Sequence, residues 1–275
     1  RGLGEGTVQR YGKAIIEDLL EGALFPRSTL GWNIAGPREV IRNVTRDQLI
    51  DYRDSYYVPS RITVVVAGKI MPGTEALLHK TFGKVTQHHK GKEDEFAPFC
   101  PPKTLECPVA LQNKKTEQVQ LGIAFHGVSI SHEDAPAASL LADILGGSMS
   151  SRLFIEIRER RGLCYSIRAS HESLQDTGVF SVTAGLDKKR FPEAVKAIMN
   201  EIRAMARKPV PLTEIRRAKD HVRGSIMLAF EDSATQASWY GRQWTFLKHL
   251  QTPEEKLKRL EKVSAKDIQR DAKKI

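Results

Sequence analysis

The stretch from Leu145 to Tyr165 reads L-G-G-S-M-S-S-R-L-F-I-E-I-R-E-R-R-G-L-C-Y, and it decides the reading of the chain. Gly146-Gly147-Ser148 is a turn signal. Ser151 to Arg160 has helical spacing and is stopped by Gly162. Leu163 to Ser170 follows at once as a strand. Arg158 lies late in the helix and Tyr165 early in the strand, so the intervening turn can bring their polar heads to one place. A guanidinium and a phenol both donate hydrogen bonds, and together they suit a peptide carbonyl or an oxyanion. The same residues also fit a helix C-terminus that carries cations for its dipole and a tyrosine packed in a sheet. The residues alone leave both readings open.

Outward from this segment the pattern stays regular. Asp134 to Leu145 is a predicted helix, and Val119, Leu121, Ile123 and Phe125 alternate as in a strand. Val179 to Leu186 is a further strand, expected to pair with Leu163 to Ser170 as a hairpin around Gln175-Asp176-Thr177-Gly178. Val195, Ile198, Ile202 and Met205 mark a helix, Thr213 to Phe230 a long one, and more helix follows to the end. Upstream, Ala14 to Leu24 is helical and closed by Pro26. Thr45 with Gln48 reads as a capping box opening a helix to about Tyr56. Arg61 to Ala67 reads as a buried strand ending at Gly68, and Glu75 to Phe82 as a short helix. Between Val85 and Glu106 the pattern breaks into charge runs and prolines, which marks an interdomain linker. This order of elements predicts an α+β fold, with helices stacked on antiparallel sheet.

Composition narrows the classes. The chain has 275 residues, 40% apolar and 28% charged, enough for a sizeable core. No apolar run reaches the roughly 18 residues of a membrane span, and no basic-then-apolar leader opens the sequence. Because it starts at Arg1 and stops inside a helical pattern at Ile275, the expectation is a processed or truncated product. The net charge of +10 is spread over amphipathic helices, as at Arg216, Arg217, Lys219 and Arg223. No aromatics interleave with these basics, so nucleic-acid binding is not expected. Three cysteines, Cys100, Cys107 and Cys164, form no C-x-x-C and no disulfide framework, and read as idle thiols in a reducing setting. None of the eight histidines is paired at metal-ligand spacing. His88-His89 could catch a stray metal ion in a charged linker, and His132-Glu133 and His171-Glu172 read as ordinary surface residues.

The central segment resembles the pitrilysin/insulinase family of zinc metallopeptidases, and most of all its processing-peptidase branch, which includes the mitochondrial processing peptidase and bacterial relatives. The match is carried by Gly146 to Phe154 and by Glu156 to Ser166. It extends to Leu30-Gly31, Ile34-Ala35-Gly36-Pro37, Tyr57 to Arg61, and Ser264 to Ile268. The resemblance implies two related α+β domains of antiparallel sheet with stacked helices, of the kind that clasp a chamber in pairs. On that map residues 1–84 are the later part of an incomplete first domain, 85–106 the linker, and 107–275 the second domain.

The resemblance also implies a chemistry. Active members hold zinc with H-x-x-E-H and a more distant Glu, and the motif Glu acts as base. An Arg and a Tyr seven residues apart in a second-type domain complete that site. Arg158 and Tyr165 match those positions, which implies substrate binding and oxyanion stabilisation. Gly146, Gly147 and Ser148 match a glycine-rich loop implied in substrate handling. H-x-x-E-H is absent from all 275 residues. The expectation is therefore zinc in the complete enzyme or in a partner subunit, and none on this chain alone. Three roles fit: the C-terminal portion of a zinc endopeptidase, a non-zinc subunit serving a zinc-bearing partner, or a catalytically inactive structural subunit. The implied partners are a peptide or unfolded protein substrate and a homodimeric or heterodimeric mate. Cytoplasm, periplasm and mitochondrial matrix all remain compatible.

Overall fold

In the computed structural model, which describes residues 5–84, 98–102 and 109–275, the elements follow each other as α1 (Glu5–Leu24), α2 (Arg38–Asn43), α3 (Arg46–Tyr56), α4 (Thr74–Thr81), β1 (Gln118–Gly127), α5 (Ala135–Ala142), β2 (Cys164–Ser173), β3 (Gly178–Asp187), α6 (Phe191–Arg207), α7 (Leu212–Ala229), α8 (Ser233–Leu247), α9 (Pro253–Glu261) and α10 (Ala265–Ala272). Two π-wound segments, Asp143–Gly147 and Phe154–Arg160, lie between α5 and β2. Cys107, His88-His89 and most of the expected linker fall outside the described residues. The chain divides into two compact units, one of Arg1–Asn33, Phe99–Gly224 and Glu254–Ile275, the other of Ile34–Pro98 and Ser225–Pro253.

The first unit holds a three-stranded sheet in the order β1-β3-β2, antiparallel throughout. β2 and β3 form the expected hairpin. β3 takes the centre because Phe180, Val182, Ala184 and Leu186 all turn to the core. Leu121, Ile123 and Phe125 of β1 and Ile167 and Ala169 of β2 share that face. They pack on Leu140, Leu141, Leu145 and Ile157, on Ile198 and Met205 of α6, and on Ile268 of α10. Each fully buried aliphatic side chain contributes roughly 1.5–3 kcal/mol. α6 fits this role because Ala194, Ala197, Ile198 and Met205 repeat at helical spacing and all are buried.

The other sheet face is small and polar. Ser166, Arg168 and Ser170 of β2, Ser181, Thr183 and Gly185 of β3, and Gln120, Gly122 and Ala124 of β1 lie in its rows. α1 packs on β1 at Gly122, where a Cβ would lie 2.9 Å from Leu20 Cγ and 3.0 Å from Ile16 Cγ1. At the end of β1 the His126 ring sits 5.5 Å from both Phe25 and Phe99. Its burial there holds the imidazole pKa below the usual value.

α10 is tied to the start of α5. Asp134 is 4% exposed and accepts from Lys274 Nζ at 2.7 Å and from Arg270. Burial pushes the Asp134 carboxyl up, but those two hydrogen bonds bring it below the ordinary range. Asp271, 3% exposed, has the opposite fate: burial first, then the Asp134 charge, pushes it up to about 6.

The second unit carries the capping box read from sequence. Thr45 Oγ1 accepts from Gln48 N at 3.3 Å, and Gln48 Oε1 accepts from Thr45 N at 2.9 Å. The expected buried strand at 61–67 is not there. Pro59–Arg61 is a 3₁₀ turn, and the residues after it are extended without a ladder partner among the described residues. Ile62, Val64 and Val66 are 50%, 43% and 47% exposed. A β-branched run makes a buried strand only where a neighbouring strand exists; α8 approaches one side of this run at Val65, but no described segment supplies a paired strand.

Candidate functional site

The segment from Asp143 to Ser166 is built from departures from regular geometry, each with a local cause. α5 loosens into a π turn whose last residues are Gly146 and Gly147. At Gly146 the backbone leaves helical space, with φ −159° and ψ 19°. It lies directly on β2: a Cβ there would be 2.8 Å from Ala169 Cβ and 3.0 Å from Arg168 C, and nearer still to Ala169 N. A Cβ on Gly147 would overlap the Asp143 carboxylate, whose Cγ would be 3.0 Å away. That carboxylate is within 2.8 Å of His221 Nδ1 on α7. Burial pushes the Asp143 pKa up, and the His221 contact opposes the shift. The turn is thus seated on β2 on one side and anchored to α7 on the other.

Ser148 to Ser151 make the entry to the next helix. The Ser151 hydroxyl donates to the Ser148 carbonyl at 2.6 Å, and the Ser148 and Ser150 hydroxyls lie 3.1 Å apart. Arg152 forks onto Glu214 at 2.7 and 3.4 Å, largely out of solvent. Ser148, Ser150, Ser151 and Glu214, with Asp143, Ile144, Arg217 and Ala218, line a cleft of about 20 Å³, room for roughly one water.

The helix that carries Arg158 is π-wound, and its end is closed by one backbone bond of α-helical span and one wider one. Gly162 N donates to Arg158 O at 3.1 Å and Leu163 N to Ile157 O at 2.9 Å. Gly162 makes this possible at φ +58°, the left-handed cap position that glycine adopts without strain. Ile157 and Leu163, both 0% exposed, pin the turn to the core. Of the cluster Arg158-Glu159-Arg160-Arg161, two cations are taken by Glu156, from Arg160 at 3.1 Å and Arg161 at 2.6 Å. Those hydrogen bonds hold Glu156 below the usual carboxylate range. Arg158 has no carboxylate partner among the described residues; its guanidinium lies 4.8 Å over the Phe154 ring.

Tyr165 owes its direction to a β-bulge. Cys164 pairs with Leu186 and Ser166 with Gly185, so Tyr165 has no partner of its own in the ladder. The burial pattern records the extra residue: Cys164 buried, Tyr165 and Ser166 both exposed, Ile167 buried. Tyr165 is 62% exposed, and its hydroxyl has no partner among the described residues. Arg158 and Tyr165 are therefore both presented to solvent on either side of Gly162, and no hydrogen bond joins them. Cys164 beneath them is a core residue, its thiol pushed up to about 11 by burial despite the opposing charge of Arg158. His171, read from sequence as a surface residue, is largely buried: its Nε2 accepts from Val128 N at 3.3 Å, and burial lowers it to about 4. The Asp143–His221 pair was not foreseen, because 78 positions separate its members.

No group of three or more His, Cys, Asp and Glu residues that could hold a metal ion exists among the described residues. The described residues of this chain do not fit a zinc site. No helix among them is long and apolar enough to cross a membrane.

The architecture is that of an α+β domain with helices stacked on an antiparallel sheet and a glycine-rich turn lying on an edge strand. Residues 43–222 match the family described as the peptidase M16 inactive domain, and the chain belongs to that family. An uncharacterized zinc protease of Bacillus subtilis, YmxG, is 30% identical over 254 residues, covering 92% of this chain and 61% of the relative. An uncharacterized zinc protease of Mycobacterium tuberculosis is 29% identical, covering 92% of this chain and 58% of the relative. This chain thus spans about three fifths of the length of such relatives. Among solved structures, a peptidase M16 inactive domain from Pseudomonas fluorescens superposes with a TM-score of 0.81 at 18% identity, over 96% of this chain and 63% of that one. A protease from Helicobacter pylori gives 0.75 at 18% identity, over 98% and 70%.

Proposed function

We propose that this chain is the C-terminal portion of a zinc-dependent endopeptidase of the processing-peptidase type, and that it supplies substrate binding and oxyanion stabilisation. The observation that carries the reading is the presentation of Arg158 and Tyr165. Seven residues apart, both are exposed, neither has a polar partner among the described residues, and a π-wound helix end and a β-bulge aim them. A guanidinium and a phenol held ready in this way can donate to a peptide carbonyl and to the oxyanion it becomes. Gly146, Gly147 and Ser148 form the adjoining edge along which the peptide backbone runs. In this reading residues 1–84 are the later part of a zinc-type first domain and 107–275 the substrate-binding domain. Zinc and its ligands lie on the rest of the polypeptide or on a partner subunit, with which this chain forms a dimer.

The test is peptide cleavage by the chain combined with its zinc-bearing complement. Tyr165→Phe should lower kcat by about 10²–10³-fold while changing KM little, as loss of one oxyanion donor does. Equal turnover of parent and variant would refute the role. No acceleration on adding this chain would make it a structural subunit.

A further inference from the structure

On the polar sheet face near Tyr165, Gly185 is itself buried, and Gln120 and Ser166 on either side of it are exposed. Gly185 in the central strand pairs with Gln120 of β1 on one side and Ser166 of β2 on the other. With no side chain to fill that row, its position is ringed by polar ends. Gln118 Oε1, Ser166 Oγ and Gln120 Nε2 stand 2.8, 3.3 and 3.5 Å from where a Cβ would be. None of the three side chains hydrogen-bonds to another described group. The neighbouring row holds Arg168, paired with Thr183 across the ladder. Arg168 is exposed and has no ion pair among the described residues. The nearest acids in the rows are engaged or distant. Asp187 accepts from Lys189 N at 2.9 Å, and Glu172 lies two rows beyond Arg168.

The chemistry of this face is that of amide recognition. A carboxamide offers a donor and an acceptor at the spacing of a main-chain peptide group. α1 covers the face at Gly122, and beside it Gln120 and Ser166 form an exposed polar strip over buried Gly185. A partnerless guanidinium at its border suits a carboxylate, to which it can donate two parallel bonds. We propose that the face from Gly185 to Arg168 is a second peptide-contacting site, in which Gln118, Gln120 and Ser166 hold the main chain of an extended peptide and Arg168 selects an acidic residue within it. The inference rests on the reading that Arg158 and Tyr165 bind peptide.

The experiment titrates the full chain with two labelled, unstructured Ala/Ser peptides that differ by Glu or Lys at one position, with that position scanned along the peptide, and follows binding by fluorescence anisotropy at low salt. At one register the Glu peptide should bind about fivefold more tightly, the size of an exposed ion pair. Arg168→Gln should erase the preference without weakening the Lys peptide. Arg158→Gln should weaken both peptides alike. Equal affinities at every register, or a preference that survives Arg168→Gln, overturn this inference and leave the Arg158 and Tyr165 role standing. Binding of neither peptide overturns both.

Discussion

Asp271→Asn should make the protein more stable at alkaline pH and leave it unchanged at acid pH. In the folded chain the Asp271 carboxyl titrates at about 6, against 3.8 in its ordinary state, because it is buried in α10 and faces the charge of Asp134. As pH rises from about 4, the unfolded chain loses this proton first and the folded chain holds it. Stability is therefore fully present below the unfolded value and is lost as pH climbs through about 6. A shift of this size corresponds to at most about 3 kcal/mol, and residual solvation brings it nearer 2 kcal/mol. Asn keeps the shape of the protonated acid and has no charge to bury. Urea titrations of parent and variant at pH 4 and pH 8 should coincide at the first and differ by about 1 M in midpoint at the second. Asp134 does not confuse the result, since its depressed carboxyl titrates below this window. Other raised groups, Glu21, Asp143 and Glu201, act in parent and variant alike and cancel in the difference. Parallel pH profiles, or a variant less stable at pH 8, would show that the Asp271 carboxyl is not held in its neutral form by burial.

Gly146→Ala places a methyl group inside the β2 backbone, so the turn must lift off the strand; a loss of about 2–4 kcal/mol is expected in chemical unfolding, with weakened peptide binding. Gly162→Ala meets nothing within 4 Å, so only its left-handed backbone is penalised, and thermal unfolding should show a loss of about 1 kcal/mol. Cys164 is buried with its thiol raised to about 11, whereas Cys100 is exposed. Iodoacetamide at pH 8 followed by peptide mass mapping should label Cys100 and spare Cys164.

Much of this architecture is legible in the sequence because it rests on local rules. The Thr45–Gln48 capping box, the hairpin across Gln175 to Gly178 and the stripe of α6 all express short-range periodicity or turn chemistry. The bulge at Tyr165 was also written there. In Leu163-Cys164-Tyr165-Ser166-Ile167 the apolar alternation skips a beat, and that skip is the extra residue. What local rules could not convey are partnerships across long separations. The Asp143–His221 anchor and the Gln118, Gln120 and Ser166 ring around Gly185 depend on which strands become neighbours. The misreading of residues 61–67 has the same origin. Ile62 to Val66 have strand propensity, but propensity measures fit to a layer that must come from elsewhere in the fold.

The π winding of Phe154–Arg160 has a consequence for how this segment tolerates change in length. A π turn holds one more residue than the α turn it replaces. Removing a single residue between Phe154 and Arg158 would relax the segment to the commoner winding and spare the core contacts upstream. Because the tighter winding takes up the missing residue, Arg158 would keep nearly its direction toward the edge it shares with the strand. A regular helix has no such slack, so the π winding makes this the one stretch of the segment where a residue can be lost without turning Arg158 away from the strand edge.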